Sequence, residues 1–178
     1  MPMNKTITVF GSSKPKPDEE QYKIAYKLGI MLGEKGFNVC NGGFFGIMEA
    51  VSKGAVESGT EAIGVTINTW GLTGNKYLTK EIKCVTLLER VNKLIELGDA
   101  FIILQGGTGT LLELAAVWEF SNKEFIDHKS ILCHSSMWKK IVDVMNIQMK
   151  SEGRNTNLIK AFDSTEEIVI YLAKNLAD

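Results

Sequence analysis

Residues 99–120 read DAFIILQGGTGTLLELAAVWEF, and this stretch decides the fold. Its apolar run, Ala100 to Leu104, is typical of a strand that is buried on both faces of a parallel sheet. Three glycines and two threonines follow within residues 105–110, and from Thr110 apolar residues recur at three- and four-residue spacings. The pattern therefore predicts a strand, a glycine turn and a helix.

A turn of this kind is a candidate phosphate site. The first amide N–H groups of a helix lack intrahelical partners, and together with the positive end of the helix dipole they favour an anion. The binding candidates in the turn are Gly106, Gly107, Thr108, Gly109 and Thr110. Glu113 is expected in the first helical turn, where it would complement the dipole or act on a bound ligand.

The glycine pattern differs from two common nucleotide-binding loops. A P-loop needs a lysine after its last glycine, and none follows Gly109. The dinucleotide fingerprint G-x-G-x-x-G should follow the first strand, but strand 5–10 ends in Gly11-Ser12-Ser13 and the second predicted strand ends at Asn41. A two-nucleotide cofactor is disfavoured, and no cofactor is expected.

Composition limits the class of protein. The chain has 178 residues, 44% of them hydrophobic, which suits one domain spanning residues 1–178. With 20 basic and 21 acidic residues the net charge is −1, so no nucleic-acid partner is expected. The apolar runs are too short for a bilayer and the N-terminus lacks a signal-peptide core, which predicts a cytoplasmic protein without a membrane partner.

Cysteine and histidine positions give no sign of a metal site. Cys40, Cys84 and Cys133 are widely separated and each lies in a strand-like segment, so buried reduced thiols are expected. His128 and His134 lack partners at metal-ligand spacing. We therefore expect no disulfide and no bound metal.

Outward from residues 99–120, strands and helices alternate along the chain. The predicted strands are 5–10, 37–40, 61–67, 81–86, 100–104, 130–134 and 158–162. The predicted helices are one capped by Asp18 and closed by Gly36, then 47–58, 87–97, one from Thr110, 136–150, and a last one with a Ser164–Glu167 capping box. The fold class is α/β, a doubly wound Rossmann-like domain with a parallel sheet of about six or seven strands.

Three turns should meet at the carboxyl edge of this sheet and form a pocket for a single nucleotide. They are 11–13, 41–46 and 105–110, and the first two add Gly11, Ser12, Gly42 and Gly43 to the binding candidates, with Met48 just after the second turn. The irregular connection 68–80 has the length of a lid or binding loop. Lys14 and Lys16 would touch a phosphate or, as is more usual for lysine, be solvated.

The central motif resembles Pro-Gly-Gly-x-Gly-Thr-x-x-Glu, the signature of the LOG family. These "lysine decarboxylase-like" Rossmann proteins include the cytokinin riboside 5′-monophosphate phosphoribohydrolases. The matching residues are Gly106, Gly107, Gly109, Thr110 and Glu113. Gln105 stands in place of the proline.

Two further motifs are similar to those of the family. In the glycine turn after the second strand Gly42, Gly43, Gly46 and Met48 match, whereas Asn41 takes a glycine position and Glu49 stands where a small residue is usual. Glu49 would complement the helix dipole or enter the pocket. Glu89-Arg90 resembles the family's Glu-Arg-Lys with Val91 in place of lysine, and Lys93 lies on nearly the same helical face to supply that charge.

The resemblance implies a function and a set of roles. It implies hydrolysis of the N-glycosidic bond of a nucleoside 5′-monophosphate, AMP or an N6-substituted AMP, to free base and ribose 5-phosphate. Glu113 would stabilise an oxocarbenium-like transition state or activate water, and Arg90 would hold the phosphate or neutralise the leaving base. Because both lie at the same sheet edge, Arg90 and Glu113 are expected to meet.

Two points stay open at this stage. A carrier of a nucleotide or of molybdenum cofactor on the same scaffold is the alternative to an enzyme, because fold does not fix function. The resemblance also implies a homodimer, and Trp118 and Phe120 would give it an apolar helical surface or be buried in their own core.

Overall fold

The computed structural model describes residues 4–68, 71–127 and 129–176, and seven strands and six helices lie within those ranges. The strands are β1 (Thr6–Phe10), β2 (Asn38–Asn41), β3 (Ala62–Ile67), β4 (Lys80–Cys84), β5 (Ala100–Ile103), β6 (Ser130–His134) and β7 (Ile159–Phe162). The helices are α1 (Glu20–Glu34), α2 (Ile47–Glu57), α3 (Leu87–Leu97), α4 (Thr108–Asn122), α5 (Ser136–Ser151) and α6 (Thr165–Asn175). Two positions of the predicted loop, 69 and 70, and His128 lie outside the described residues.

The strands form one parallel sheet in the order β4-β3-β2-β1-β5-β6-β7. The chain builds outward from β1 to β4 and then returns to place β5 against the other side of β1, with Ile7 opposite Ala100 and Phe10 opposite Ile103. The direction of winding reverses between β1 and β5, and a crevice opens there at the carboxyl ends of the strands. The predicted doubly wound α/β fold is confirmed.

Both faces of the sheet are covered, which explains the unbroken apolar run of β5. Ala100 and Ile102 pack in a core layer with α1, α2 and α6, whereas Phe101 and Ile103 pack in the opposite layer with α3, α4 and α5. All four side chains are fully buried. Since successive side chains of a strand point to opposite faces, the side chains of β5 meet a helical layer on both sides of the sheet, and all four are apolar.

Helix starts are where the sequence prediction needs correction. α4 begins at Thr108, so Glu113 lies in its second turn and not in its first. The N-cap of α1 is Glu19 rather than Asp18. Ser164 accepts the predicted bond from the Glu167 amide, and a complete capping box forms at the start of α3 between Thr86 and Glu89.

Several side-chain expectations are settled by burial. Cys40, Cys84 and Cys133 are free and buried, as predicted, and burial raises the pKa of Cys40 to about 12. Trp118 joins the core and the half-buried Phe120 packs against it, so these two residues do not form an exposed dimer surface. Within the described residues, no helix combines the length and the apolar character that crossing a membrane requires.

Candidate functional site

A cavity of about 530 Å³ opens at the carboxyl edge, where β1 and β5 diverge. The turn after β1 lines it with Gly11 and Ser12, α2 with Met48, and the start of α4 with residues 107–110. The predicted pair Arg90 and Glu113 also lines it. The main chain of Ser12 fixes this frame, because its N–H donates to the Gln105 carbonyl (3.0 Å) and its carbonyl accepts from the Ile47 amide (2.9 Å).

Arg90 and Glu113 form a buried ion pair inside the cavity. Arg90 Nη1 lies 3.4 Å from Glu113 Oε1, and the two residues are only 6% and 8% exposed. Arg90 Nε also donates to the carbonyl of Val65 in β3 at 2.7 Å, which fixes the orientation of the guanidinium. The meeting of Arg90 and Glu113 expected from the sheet topology is confirmed.

Burial controls the ionisation of this pair. It raises the pKa of Glu113 to about 7, and the positive charge of Arg90 opposes part of that rise. Burial also lowers the pKa of Arg90, against the opposing effect of Glu113. A carboxyl group that titrates near neutral pH inside a cavity is suited to acid–base chemistry.

The start of α4 presents hydrogen-bond donors to the cavity. Gly107 is the N-cap residue and has no side chain with which to cap the following amides, which stay available for a ligand. Thr110 is 3% exposed, lines the cavity, and its hydroxyl forms no hydrogen bond within the described ranges. Gly106 lies behind this lining, since a Cβ there would overlap Thr110 Oγ1.

The glycines after β2 also lie behind the cavity lining. A Cβ at Gly42 would overlap Arg90 Nη2, so this position must be glycine for the guanidinium to reach Glu113. Gly43 has φ +77° and donates its N–H to Asn41 Oδ1 at 2.8 Å. Gly42 and Gly43 thus make room for and shape the site without being among the described lining residues, and their contact with a ligand stays a prediction.

An apolar wall was missed by the sequence reasoning. Phe44, Phe45 and Leu72 line the cavity beside Met48, and Phe45 and Leu72 are 51% and 52% exposed at its mouth. The ring of Phe44 lies 5.9 Å from the Arg90 guanidinium. The sequence signal for this wall, which was not used, is the pair of adjacent aromatics Phe44 and Phe45 inside a glycine turn.

Asn75 holds the wall together and was also missed. It is 6% exposed, and its side-chain amide donates to the carbonyls of Gly43 (3.2 Å) and Phe44 (2.9 Å). Its own N–H donates to the Gly43 carbonyl at 2.8 Å. The segment that carries Leu72 is therefore anchored to the turn that carries Phe44 and Phe45.

The four departures from the family motifs, Asn41, Glu49, Val91 and Gln105, are not among the described residues that line the cavity. Asn41 is buried and donates to the Met48 carbonyl and to Ser52 Oγ, which ties β2 to α2. Val91 is buried in the core. Glu49 lies in the first turn of α2, which favours the dipole interpretation over entry into the pocket.

Lys93 does not supply the charge that Val91 lacks. Its ammonium group pairs with Glu96 at 2.6 Å on the outer side of α3 and is absent from the described cavity lining. Lys14, by contrast, lines the cavity. No group of three His, Cys, Asp or Glu side chains within residues 4–68, 71–127 and 129–176 is arranged to hold a metal ion.

Known proteins share both the sequence and the fold. A probable cytokinin riboside 5′-monophosphate phosphoribohydrolase of Oryza sativa subsp. japonica is 32% identical over 130 residues, which are 70% of this chain and 52% of that protein. A cytokinin riboside 5′-monophosphate phosphoribohydrolase of Rhodococcoides fascians is 28% identical over 125 residues, 68% of this chain and 63% of that protein. The alignments span from 45% to 64% of the length of the curated relatives.

A solved structure extends the likeness of the fold over the whole chain. The molybdenum cofactor carrier protein of Chlamydomonas reinhardtii superposes with a TM-score of 0.79 at 20% identity, covering 98% of this chain and 99% of that one. The sequence profile of the SLOG cluster4 family matches residues 4–169. The resemblance to LOG proteins inferred from the glycine and Arg90 motifs is thus confirmed, and the chain belongs to the SLOG cluster4 family.

Proposed function

We propose that this protein hydrolyses the N-glycosidic bond of a nucleoside 5′-monophosphate, AMP or an N6-substituted AMP, to free base and ribose 5-phosphate. The buried Arg90–Glu113 pair carries the proposal, because it places a titrating carboxyl beside the hydrogen-bond donors of a helix start. A residue that served only to complement the α4 dipole would lie in the first turn, whereas Glu113 lies in the second.

The reaction needs a phosphate anchor, a carboxylate near the sugar and a place for the base. The amides and hydroxyls of residues 107–110 are suited to the phosphate. As C1′–N cleavage leaves positive charge on the sugar, ionised Glu113 would stabilise that charge or take a proton from the attacking water. The water oxygen bonds to C1′ as the C1′–N bond breaks, the proton that this water loses ends on the departing base, and the base leaves against the apolar wall.

Curated relatives support this substrate class. The relatives described above from Oryza sativa and Rhodococcoides fascians are named as phosphoribohydrolases of cytokinin riboside 5′-monophosphate. Four of the five central-motif residues that this chain shares with that family, Gly107, Gly109, Thr110 and Glu113, line the cavity.

The test is incubation of the purified protein with a panel of nucleoside 5′-monophosphates and the matching nucleosides. We expect free base and ribose 5-phosphate in equal amounts from AMP or an N6-substituted AMP, and no base from the nucleosides. Saturable binding of a monophosphate without release of base would overturn the enzyme and favour a carrier.

The alternative function that this experiment tests is that of a carrier, which would bind a nucleotide or molybdenum cofactor without cleaving it. Carrier proteins share the fold at 20% identity, which by itself says nothing of the ligand. The four departures from the family motifs, Asn41, Glu49, Val91 and Gln105, lie outside the described cavity lining and leave the Arg90–Glu113 pair intact. The enzyme is therefore the function that the site supports better.

We also propose that the protein is a homodimer. Four exposed leucines lie at the starts of two helices, Leu87 and Leu88 in α3 and Leu111 and Leu112 in α4, and they form apolar surface that a second copy would cover. Sedimentation at micromolar concentration should give twice the chain mass. A monomer at that concentration would contradict the proposal.

A further inference from the structure

The charge of Arg90 is already balanced inside the cavity. Its guanidinium is buried, bonds the Val65 carbonyl through Nε and pairs with Glu113 through Nη1. The pair as a whole adds no net charge to the site while both groups are ionised. A phosphate dianion that enters the cavity needs positive charge from another residue.

Lys14 is the cationic side chain that the described cavity lining holds besides Arg90. It forms no ion pair with a carboxylate of the described residues, whereas Lys93 pairs with Glu96. An ammonium group on an exposed side chain keeps its hydration until a ligand arrives, so its charge is free to meet an anion.

The main chain holds Lys14 at the rim. Its N–H donates to Ser12 Oγ at 3.1 Å, and the main chain of Ser12 is bonded to Gln105 and to Ile47. Pro15 follows directly and restricts the backbone on the other side. The lysine therefore leaves the chain at a fixed point of the same cavity that α4 opens with Thr108 and Thr110.

Thr110 gives a second, independent sign of a ligand in this cavity. Its side chain is 3% exposed, lines the cavity and has a hydroxyl without a hydrogen-bond partner in the part of the chain that the structure describes. This hydroxyl is therefore available at the cavity surface to a ligand or a water. The uncapped amides at the start of α4 lie beside it.

We propose that Lys14 binds the 5′-phosphate together with the start of α4, while Arg90 positions Glu113 and leaves the phosphate to Lys14. This inference rests on the proposed function for the identity of the ligand. It assigns to the loop after β1 the charge recognition that distinguishes a nucleotide from a nucleoside.

The test compares Lys14→Gln with Lys16→Gln, which removes the same charge from the same loop at a residue outside the described cavity lining. Calorimetric titration with ribose 5-phosphate should give an affinity about tenfold weaker for Lys14→Gln, as expected for loss of one charge-assisted contact. Lys16→Gln should stay within about twofold of the unchanged protein, since an exposed charge outside the described cavity lining does not contact the phosphate and is weakened by solvent and salt. Lys14→Arg keeps the charge and should recover most of the affinity.

A second measurement separates a phosphate contact from a general change in the site. Affinity for adenosine, which has no phosphate, should be the same for Lys14→Gln and the unchanged protein. In AMP turnover, Lys14→Gln should raise KM about tenfold with kcat nearly constant, because the contact is equal in the ground and transition states.

Three results would overturn the inference: unchanged ribose 5-phosphate affinity in Lys14→Gln, an equal loss in Lys16→Gln, or an equal loss for adenosine. A different result would contradict the proposed function, namely that the unchanged protein releases no base. If ribose 5-phosphate binds through Lys14 while no base is released, the role of Lys14 is supported and the proposed enzymatic function is contradicted. If the unchanged protein and Lys14→Gln release base with the same KM, the enzymatic function is supported and the role of Lys14 is contradicted.

Discussion

The two glycine turns at the carboxyl edge look alike in sequence and serve different purposes. Residues 41–46 and 105–110 each lead from a buried strand into a helix. The turn after β5 presents amides and hydroxyls to the cavity, whereas the turn after β2 presents the rings of Phe44 and Phe45. One turn is a polar rim suited to an anion, and the other is an apolar wall.

The side chains that pack behind the two turns also differ. Behind the turn after β2, Gly42 leaves space for the guanidinium of Arg90. Behind the turn after β5, Gly106 leaves space for the hydroxyl of Thr110. A glycine in such a motif therefore need not line the cavity itself, because its missing side chain makes room for a residue that does.

The largest effect is expected at Glu113, which pairs with the Arg90 guanidinium beside Gly42. Glu113→Gln should lower kcat about a hundredfold or more, since it removes a charged group required in the transition state. Affinity for ribose 5-phosphate should change little. The matched control is Glu119→Gln, which alters an exposed carboxylate farther along α4 and should leave turnover unchanged.

An active Glu113→Gln protein with only an altered melting temperature would remove Glu113 from the catalytic site. Both turns would then serve binding alone.

The second largest effect is expected in the pH dependence of kcat/KM. Both roles considered for Glu113 need the ionised carboxylate, and burial raises its pKa to about 7. The protonated form below this pKa is inactive, so kcat/KM should rise with pH through about 7. The rise should reach roughly tenfold between one pH unit below and one above the midpoint. A flat profile there, or a fall in rate as pH rises, would contradict an ionised Glu113.

Gly42→Ala and Gly107→Ala should separate the two turns. A methyl group at Gly42 displaces the Arg90 guanidinium, so kcat should fall about tenfold through loss of the positioned pair. The midpoint of the pH profile should also move up, because Arg90 lowers the pKa of Glu113. At Gly107 a Cβ meets no atom within 4 Å and would project into open space at the rim, where it should weaken ribose 5-phosphate binding.

Gly107→Ala should leave the pH midpoint in place. Equal effects of the two substitutions on kcat and on affinity would show that the turns are not functionally distinct.

The smallest effect concerns the bond between the apolar wall and its anchor. Asn75→Ala leaves the carbonyls of Gly43 and Phe44 without their side-chain donor, and should lower the free energy of unfolding by about 1–2 kcal/mol. Denaturant unfolding measures this loss. Asn92→Ala, at an exposed position of α3, is the control and should change stability by less than about 0.5 kcal/mol. An equal loss in the two variants would mean that Asn75 does not anchor the wall.

The sequence predicted the fold well because its signals are local. Apolar runs such as Ala100 to Leu104 are buried in the sheet, and the predicted bounds of α3 match the structure. The start of α4 was wrong by two residues. Thr108 and Gly109 are poor helix formers that the strand and the turn bring into the helix, so tertiary context outweighs their propensity there.

The polar half of the site was predictable and the apolar half was not. Arg90 and Glu113 belong to motifs whose strands meet at one edge, so their contact followed from topology. The bond from Asn75 to Phe44 spans 31 residues and has no periodic pattern to reveal it. Lys93 lies three residues beyond Arg90 and near it on the helix. The rotation of the helix between the two positions is nevertheless enough to direct the Lys93 side chain away from the cavity to its ion pair with Glu96.

The main-chain bonds of Ser12 have a consequence for engineering. Amide and carbonyl groups are common to all residues except proline at the amide, so the ties from Ser12 to Gln105 and Ile47 survive substitution of nearly every side chain around them. The residues that face the opening, Lys14, Phe45 and Leu72, are exposed and stand outside that framework. Libraries randomised at these three positions would vary the ligand preference of the cavity while the scaffold beneath it keeps its shape.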